Sequence, residues 1–164
     1  MADLKKELTD EPPVIRYTGM FSYDNLYKTV IQWFKINGYD FFEKNYTHKG
    51  NELEFEWFGE KEVTGYYKYE IEISMFVWDF KDVEVIKNDE KTIMQKGRIQ
   101  LVIKGYYILD YEKEWVGGFK EKLQKFYHNF IINKDIMFKI YVPLYKEVYE
   151  IYDKIRDSMG MERI

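Results

Sequence analysis

Three carboxylates, Glu52, Glu54 and Glu56, recur at every second position. On an extended strand that spacing puts them on one face, about 7 Å apart. Such a row could hold a cation or meet a basic partner. Metal sites, however, converge oxygen ligands from several elements, so a single row reads first as a solvated strand face. Histidine, the side chain that titrates near neutrality, occurs only as His48 and His128. His48 falls in an expected loop tip and His128 lies off the apolar stripe of an expected helix. Neither has a serine or carboxylate at a catalytic spacing. The serines are Ser22, Ser74 and Ser158, and none sits in a G-x-S-x-G elbow. There is no Walker A loop and no G-x-G-x-x-G. Lys120, Lys122 and Lys125, with Glu121 among them, could meet a phosphate but read first as a solvated helix face. Cysteine is absent, which excludes disulfides, thiolate-built zinc and iron–sulfur sites, and cysteine nucleophiles. These spacings weigh against an enzyme, and no metal or cofactor is expected.

The elements that must position these residues come from a chain of 164 residues, the length of about one domain. Hydrophobic residues make up 46%, enough for one sizeable core. With 29 acids against 25 bases the formal charge is −4, so nucleic-acid binding through bulk positive charge is not expected. No apolar run reaches the ~18 residues of a membrane span. The charged start, Met1-Ala2-Asp3-Leu4-Lys5-Lys6-Glu7, lacks the apolar stretch of a signal peptide. A cytoplasmic protein is the expectation. Aromatic residues make up 20%, with 16 tyrosines; a ring carrying a hydroxyl suits half-buried sheet faces and interfaces.

Residues 1–13 read as a flexible lead-in ending at Pro12-Pro13, and 160–164 as a loose tail, around a single domain over 14–159. Val14–Phe21 is β-branched and aromatic and predicts a strand. Ser22 predicts an N-cap, with Phe21 and Leu26 as a hydrophobic staple. Leu26, Val30, Trp33 and Phe34 share a helical face, and Asn37-Gly38 is a stop signal. From Tyr39 the period changes to two. Tyr39–Tyr46 and Glu52–Phe58 flank a Thr47–Asn51 loop. In the run from Gly65 to Trp78 one row holds Tyr67, Tyr69, Ile71, Ile73, Met75 and Val77, and at its end Phe76 and Trp78 make both faces apolar. Asp82–Lys87, Thr92–Met94 and Arg98–Tyr111 follow as strands. Gly97 and Gly105 are expected bulges or bends. Beyond Gly117-Gly118, a boundary, Phe119, Leu123, Phe126, Tyr127 and Phe130 form one helical stripe. Leu144, Val148, Ile151, Ile155 and Met159 form another, with Pro143 between them either kinking a long helix or opening a new one in its first turn.

The fold class this implies is α+β: an antiparallel sheet of about six or seven strands packed against an N-terminal helix and a long, interrupted C-terminal helix. Large apolar side chains exceed what a small two-layer core needs. A cavity for an apolar small molecule would use them, as would a protein interface. In the first case Tyr67, Tyr69, Ile71, Ile73, Phe126 and Phe130 would line the ligand site, making the chain a non-catalytic binding protein. In the second it is a protein–protein or assembly adaptor with a packed core.

The succession VIRYTGMF, SYDNLYKTVIQWFKING, the strands of 39–114 and the helix from Phe119 resembles the START-like, or helix-grip, superfamily. That resemblance is one of topology and carries over no motif residue. It implies a curved sheet wrapped on a terminal helix and the binding of a hydrophobic small molecule. The Lys-, Glu- and Tyr-rich composition is also similar to that of small archaeal proteins; AT-rich codons would give the Lys, Ile, Tyr, Asn and Phe bias, and Lys/Glu enrichment without cysteine equally fits a thermophile.

Overall fold

Strict apolar–polar alternation builds a six-stranded antiparallel sheet with one face covered by two helices. The structure is a computed structural model and describes residues 5–64, 67–109 and 134–160. Along the chain run β1 (Lys5–Glu7), β2 (Val14–Phe21), α1 (Tyr23–Ile36), β3 (Asp40–Lys49), β4 (Glu52–Glu62), β5 (Tyr67–Lys87), β6 (Glu90–Leu109) and α2 (Lys134–Ser158). The meander β3-β4-β5-β6 pairs consecutively, and β1 and β2 share the remaining edge of β6. This is the α+β class read from the sequence.

The inner face carries Leu53, Phe55 and Trp57 of β4, Tyr69, Ile71, Ile73, Met75 and Val77 of β5 and Ile99, Leu101 and Ile103 of β6, all buried. Helix α1 begins where the Ser22 hydroxyl accepts from the Asn25 backbone N–H at 3.2 Å. It buries Leu26, Val30, Trp33 and Phe34. The staple partners Phe21 and Leu26 are both in the core. Helix α2 buries Leu144, Val148, Ile151 and Ile155. Two glycines let the helices approach closely. A Cβ at Gly59 would lie 2.5 Å from the Phe34 ring, and one at Gly105 would lie 2.8 Å from Val148.

Several boundaries differ from the sequence reading. The lead-in is not free throughout: β1 pairs with Tyr106–Ile108, and Leu8 is buried. An unused edge of β6 is available there, and Leu8 fills the space beside Gly105. The Thr47–Asn51 loop shrinks to Gly50-Asn51, because β3 and β4 stay in register out to Lys49 and Glu52. His48 is therefore on a strand, opposite Leu53, with its ring edge-on to Phe80. The segments on either side of Asp79 form one strand, β5, with an irregularity between Trp78 and Lys81. Thr92–Met94 and Arg98 onward likewise belong to one strand, β6. Gly105 is not a bulge; it pairs in register with Ile71. Gly97 is also in register on β2, opposite Gly19, while facing the irregular stretch of β5.

Pro143 lies inside α2 rather than interrupting it. It and Lys139, whose carbonyl loses its N–H partner, are both exposed, so water can satisfy that carbonyl. The stripe from Phe119 to Phe130, Gly117-Gly118, Lys120, Lys122, Lys125 and His128 lie outside the described residues, as do 161–164.

Candidate functional site

The sheet offers two candidate surfaces, one under the helices and one open to water. Under the helices, Ile71 and Ile73 have no exposure, Tyr69 is 2% exposed and Tyr67 packs half-buried at the margin of the core. The Tyr69 hydroxyl donates to the Ile140 carbonyl at 2.6 Å, tying β5 to the start of α2. Four of the six residues expected to line a ligand thus share one row of β5. Phe126 and Phe130 lie outside the described residues.

Beside that row is a polar cluster. The Tyr39 hydroxyl donates to one oxygen of Glu147, and the Lys61 ammonium meets the other at 2.5 Å. The same ammonium sits 4.6 Å from the centre of the Tyr39 ring. One turn further along α2, Trp33 Nε1 donates to Glu150 at 3.0 Å. Burial, and then the bond to Glu147, lift the Tyr39 hydroxyl far above its ordinary titration range. Burial also raises Tyr69. Tyr39 is therefore a neutral donor at any physiological pH, and Lys61 and Glu147 satisfy each other. The cluster clamps α2 to β4 and to the turn between α1 and β3; its proton is not poised to leave.

The open face shows how alternation distributes charge. Glu60 pairs with Lys68 at 3.3 Å, Glu70 with Lys5 at 3.1 Å, and Lys44 lies between Glu72 at 3.3 Å and Glu56 at 4.0 Å. The predicted row Glu52, Glu54, Glu56 lies on this face, and only Glu56 has an ion partner among the described residues. No group of His, Asp or Glu among the described residues is arranged to hold a metal ion.

Toward the end where β5 bends, the polar face turns aromatic. Phe76 and Trp78 stack with ring centres 6.0 Å apart and planes 16° apart, and the Arg98 guanidinium lies 5.1 Å from the Trp78 ring. The strand register explains the grouping. Thr18, Arg98 and Trp78 stand side by side across β2, β6 and β5, and Arg16, Gln100, Phe76, Glu54 and Thr47 form the next row across five strands. A recess of about 450 Å³ lies on the arginine side of Trp78, lined by Arg16, Thr18, Arg98 and Gln100. A second, of about 340 Å³, lies on its other side, lined by Thr47, Lys49, Glu52, Glu54 and Phe76. The result is a platform with Arg16 and Arg98 at one end, rings in the middle, and Glu52 and Glu54 beside Lys49 at the other. It has donors, acceptors and a stacking surface.

Of this platform, the sequence signalled the apolar Phe76 and Trp78 on an otherwise polar row and the acidic row of β4. Arg16 and Arg98 were not singled out: they are 82 positions apart, and only the pairing of β2 with β6 brings them together. Searches with the chain find no matching family model, no matching curated protein and no matching solved structure.

Proposed function

We propose that the chain is a non-catalytic interaction module, an adaptor with a packed core that takes an extended polypeptide on the open face of its sheet around Trp78. The carrying observation is the stacked pair Phe76–Trp78, left on the solvent side between Arg16 and Arg98 on one hand and Glu52 and Glu54 on the other. From β2 to β3 the platform crosses four inter-strand spacings, about 19 Å, the reach of about six extended residues. Recesses open to solvent on both sides of Trp78 favour an extended occupant over a small enclosed molecule.

The alternative is an apolar small molecule held between the sheet and the C-terminal helix, as the START-like analogy implies. What supports that analogy is the order of strand, helix, antiparallel strands and terminal helix. The full burial of Ile71 and Ile73 favours the adaptor. A cytoplasmic setting fits a chain without cysteine. No helix among the described residues is long and apolar enough to cross a membrane.

Native mass spectrometry of the protein purified from the cell that makes it, beside Trp78→Ala and Arg98→Glu, tests this reading. A stoichiometric polypeptide on the wild type, lost from both variants with unchanged circular dichroism, is the expected result. A chain that emerges alone, or with a small molecule that both variants retain, overturns it.

A further inference from the structure

Cations gather on the open face at the arginine side of Trp78. Arg98 stands opposite Thr18 of β2, and Arg16 opposite Gln100 of β6. The two arginines are therefore diagonal neighbours, with stems about 7–8 Å apart. Lys96 precedes Arg98 on the same face of β6. Lys81 lies directly opposite Lys96, where β5 and β6 run on as a two-stranded ribbon of Lys81–Lys87 against Glu90–Met94. All four side chains are exposed, and none has an ion partner among the described residues. Like charges set opposite one another across two strands repel and destabilise the pair. The acids nearby do not relieve them. Asp79 is exposed and makes no ion pair among the described residues. Asp82 belongs to the opposite face with Gln95, whose Nε2 donates to it at 3.3 Å and whose Oε1 accepts from the Tyr23 N–H. Glu54 shares the row of Arg16 across β6 and β5, but three strand spacings put it about 14 Å away, beyond the ~8 Å screening length of physiological salt. On a chain of net charge −4, this is a local positive patch without a counter-charge.

The residue type narrows what the patch would hold. The arginines of the chain are Arg16, Arg98, Arg156 and Arg163, and lysine supplies the other basic residues. Two of these scarce arginines line one recess of about 450 Å³, with Thr18 and Gln100 beside them. A guanidinium differs from an ammonium in its planar fork, which grips a carboxylate or phosphate through two parallel bonds. One fork satisfies one carboxylate. Two forks, a hydroxyl and an amide match a group with more acceptor oxygens and about two negative charges, which is a phosphorylated side chain. Trp78, with the Arg98 guanidinium 5.1 Å from its ring centre, gives a flat wall for the stem that carries the group. We infer that the polypeptide received on this face is phosphorylated, its phosphoryl group held between Arg16 and Arg98, with Lys81 and Lys96 adding attraction from the ribbon side. This inference rests on the adaptor reading of the Trp78 face and names the chemistry of its partner.

Fluorescence anisotropy tests it. The probes are labelled degenerate peptides centred on phosphoserine, phosphothreonine or phosphotyrosine, the same peptides unphosphorylated, and a labelled single-stranded oligonucleotide of mixed sequence. At least one phosphorylated set binds the wild type about tenfold or more tighter than its unphosphorylated twin, the worth of one or two charge-assisted bonds. Arg16→Gln and Arg98→Gln each abolish that preference at unchanged circular dichroism. Arg98→Lys keeps part of it, since charge remains without the fork, and Lys28→Gln on α1 leaves it intact. Peptides bound equally with and without phosphate, and lost in Trp78→Ala, overturn the inference and leave the adaptor reading standing. An oligonucleotide bound tighter than every peptide, and lost in the arginine variants, overturns both. If no phosphorylated set binds, the inference falls, and the adaptor reading stands or falls by native mass spectrometry.

Discussion

Tyr39 is held from three sides at once. It is 5% exposed, and its hydroxyl donates to Glu147 while its ring lies under the Lys61 ammonium. Burial, with Glu147, raises its titration above the ordinary 10.0. Above about pH 10 the unfolded chain ionises this tyrosine and the folded chain does not. The folded state then holds more protons, so stability is full below pH 10 and falls as pH rises. Tyr23, pushed up to about 12 by burial and Glu43, adds in the same direction. Tyr39→Phe is expected to cost about 1.5–3 kcal/mol at pH 7 through the lost charge-assisted bond. The same variant should lose stability less steeply than wild type between pH 10 and 12. Urea denaturation at stepped pH reads both effects; equal slopes for the two proteins would refute the account.

At the scale of elements, α2 is held by its contacts more than by its propensity. Leu144, Val148, Ile151 and Ile155 are fully buried, and that stripe outweighs a proline whose missing N–H costs about 3 kcal/mol in a helix interior. Pro143 is tolerated because its turn faces water. Pro143→Ala is therefore expected to raise stability by about 1–3 kcal/mol without altering the buried stripe, seen as a higher melting temperature at unchanged circular dichroism. A lower melting temperature would mean that the proline is needed for the shape of the helix. The expectation of an interrupted helix followed proline's local rule correctly; local rules do not include the packing that overrides them here.

At the scale of the whole molecule, stability is graded along the two longest strands. Tyr69–Val77 and Ile99–Ile103 lie at the centre of the sheet under both helices, whereas the ribbon beyond Lys81 has, among the described residues, strand partners only within itself. Local opening follows burial and contact density. Hydrogen exchange should show the central amides exchanging slowest, near the global unfolding limit. Amides of 82–94 should exchange orders of magnitude faster. Uniform protection along β5 would contradict this grading.

Which residues face inward was legible from the chain alone, because period two on strands and period 3.6 on helices are local properties of backbone geometry. Leu53, Phe55 and Trp57, the Tyr67–Val77 row and both helix stripes within the described residues were readable in this way. So was the start of α1 at Ser22, since a cap and a staple act within a few residues. Element lengths were less legible: an irregularity after Trp78 looks locally like an ending, and only the partner strand carries β5 through it. The platform was decided by tertiary structure, because Arg16, Glu54, Phe76 and Arg98 become neighbours through pairing across five strands. Local periodicity assigns each of them a face; the register that places them in adjoining rows comes from long-range hydrogen bonding between strands.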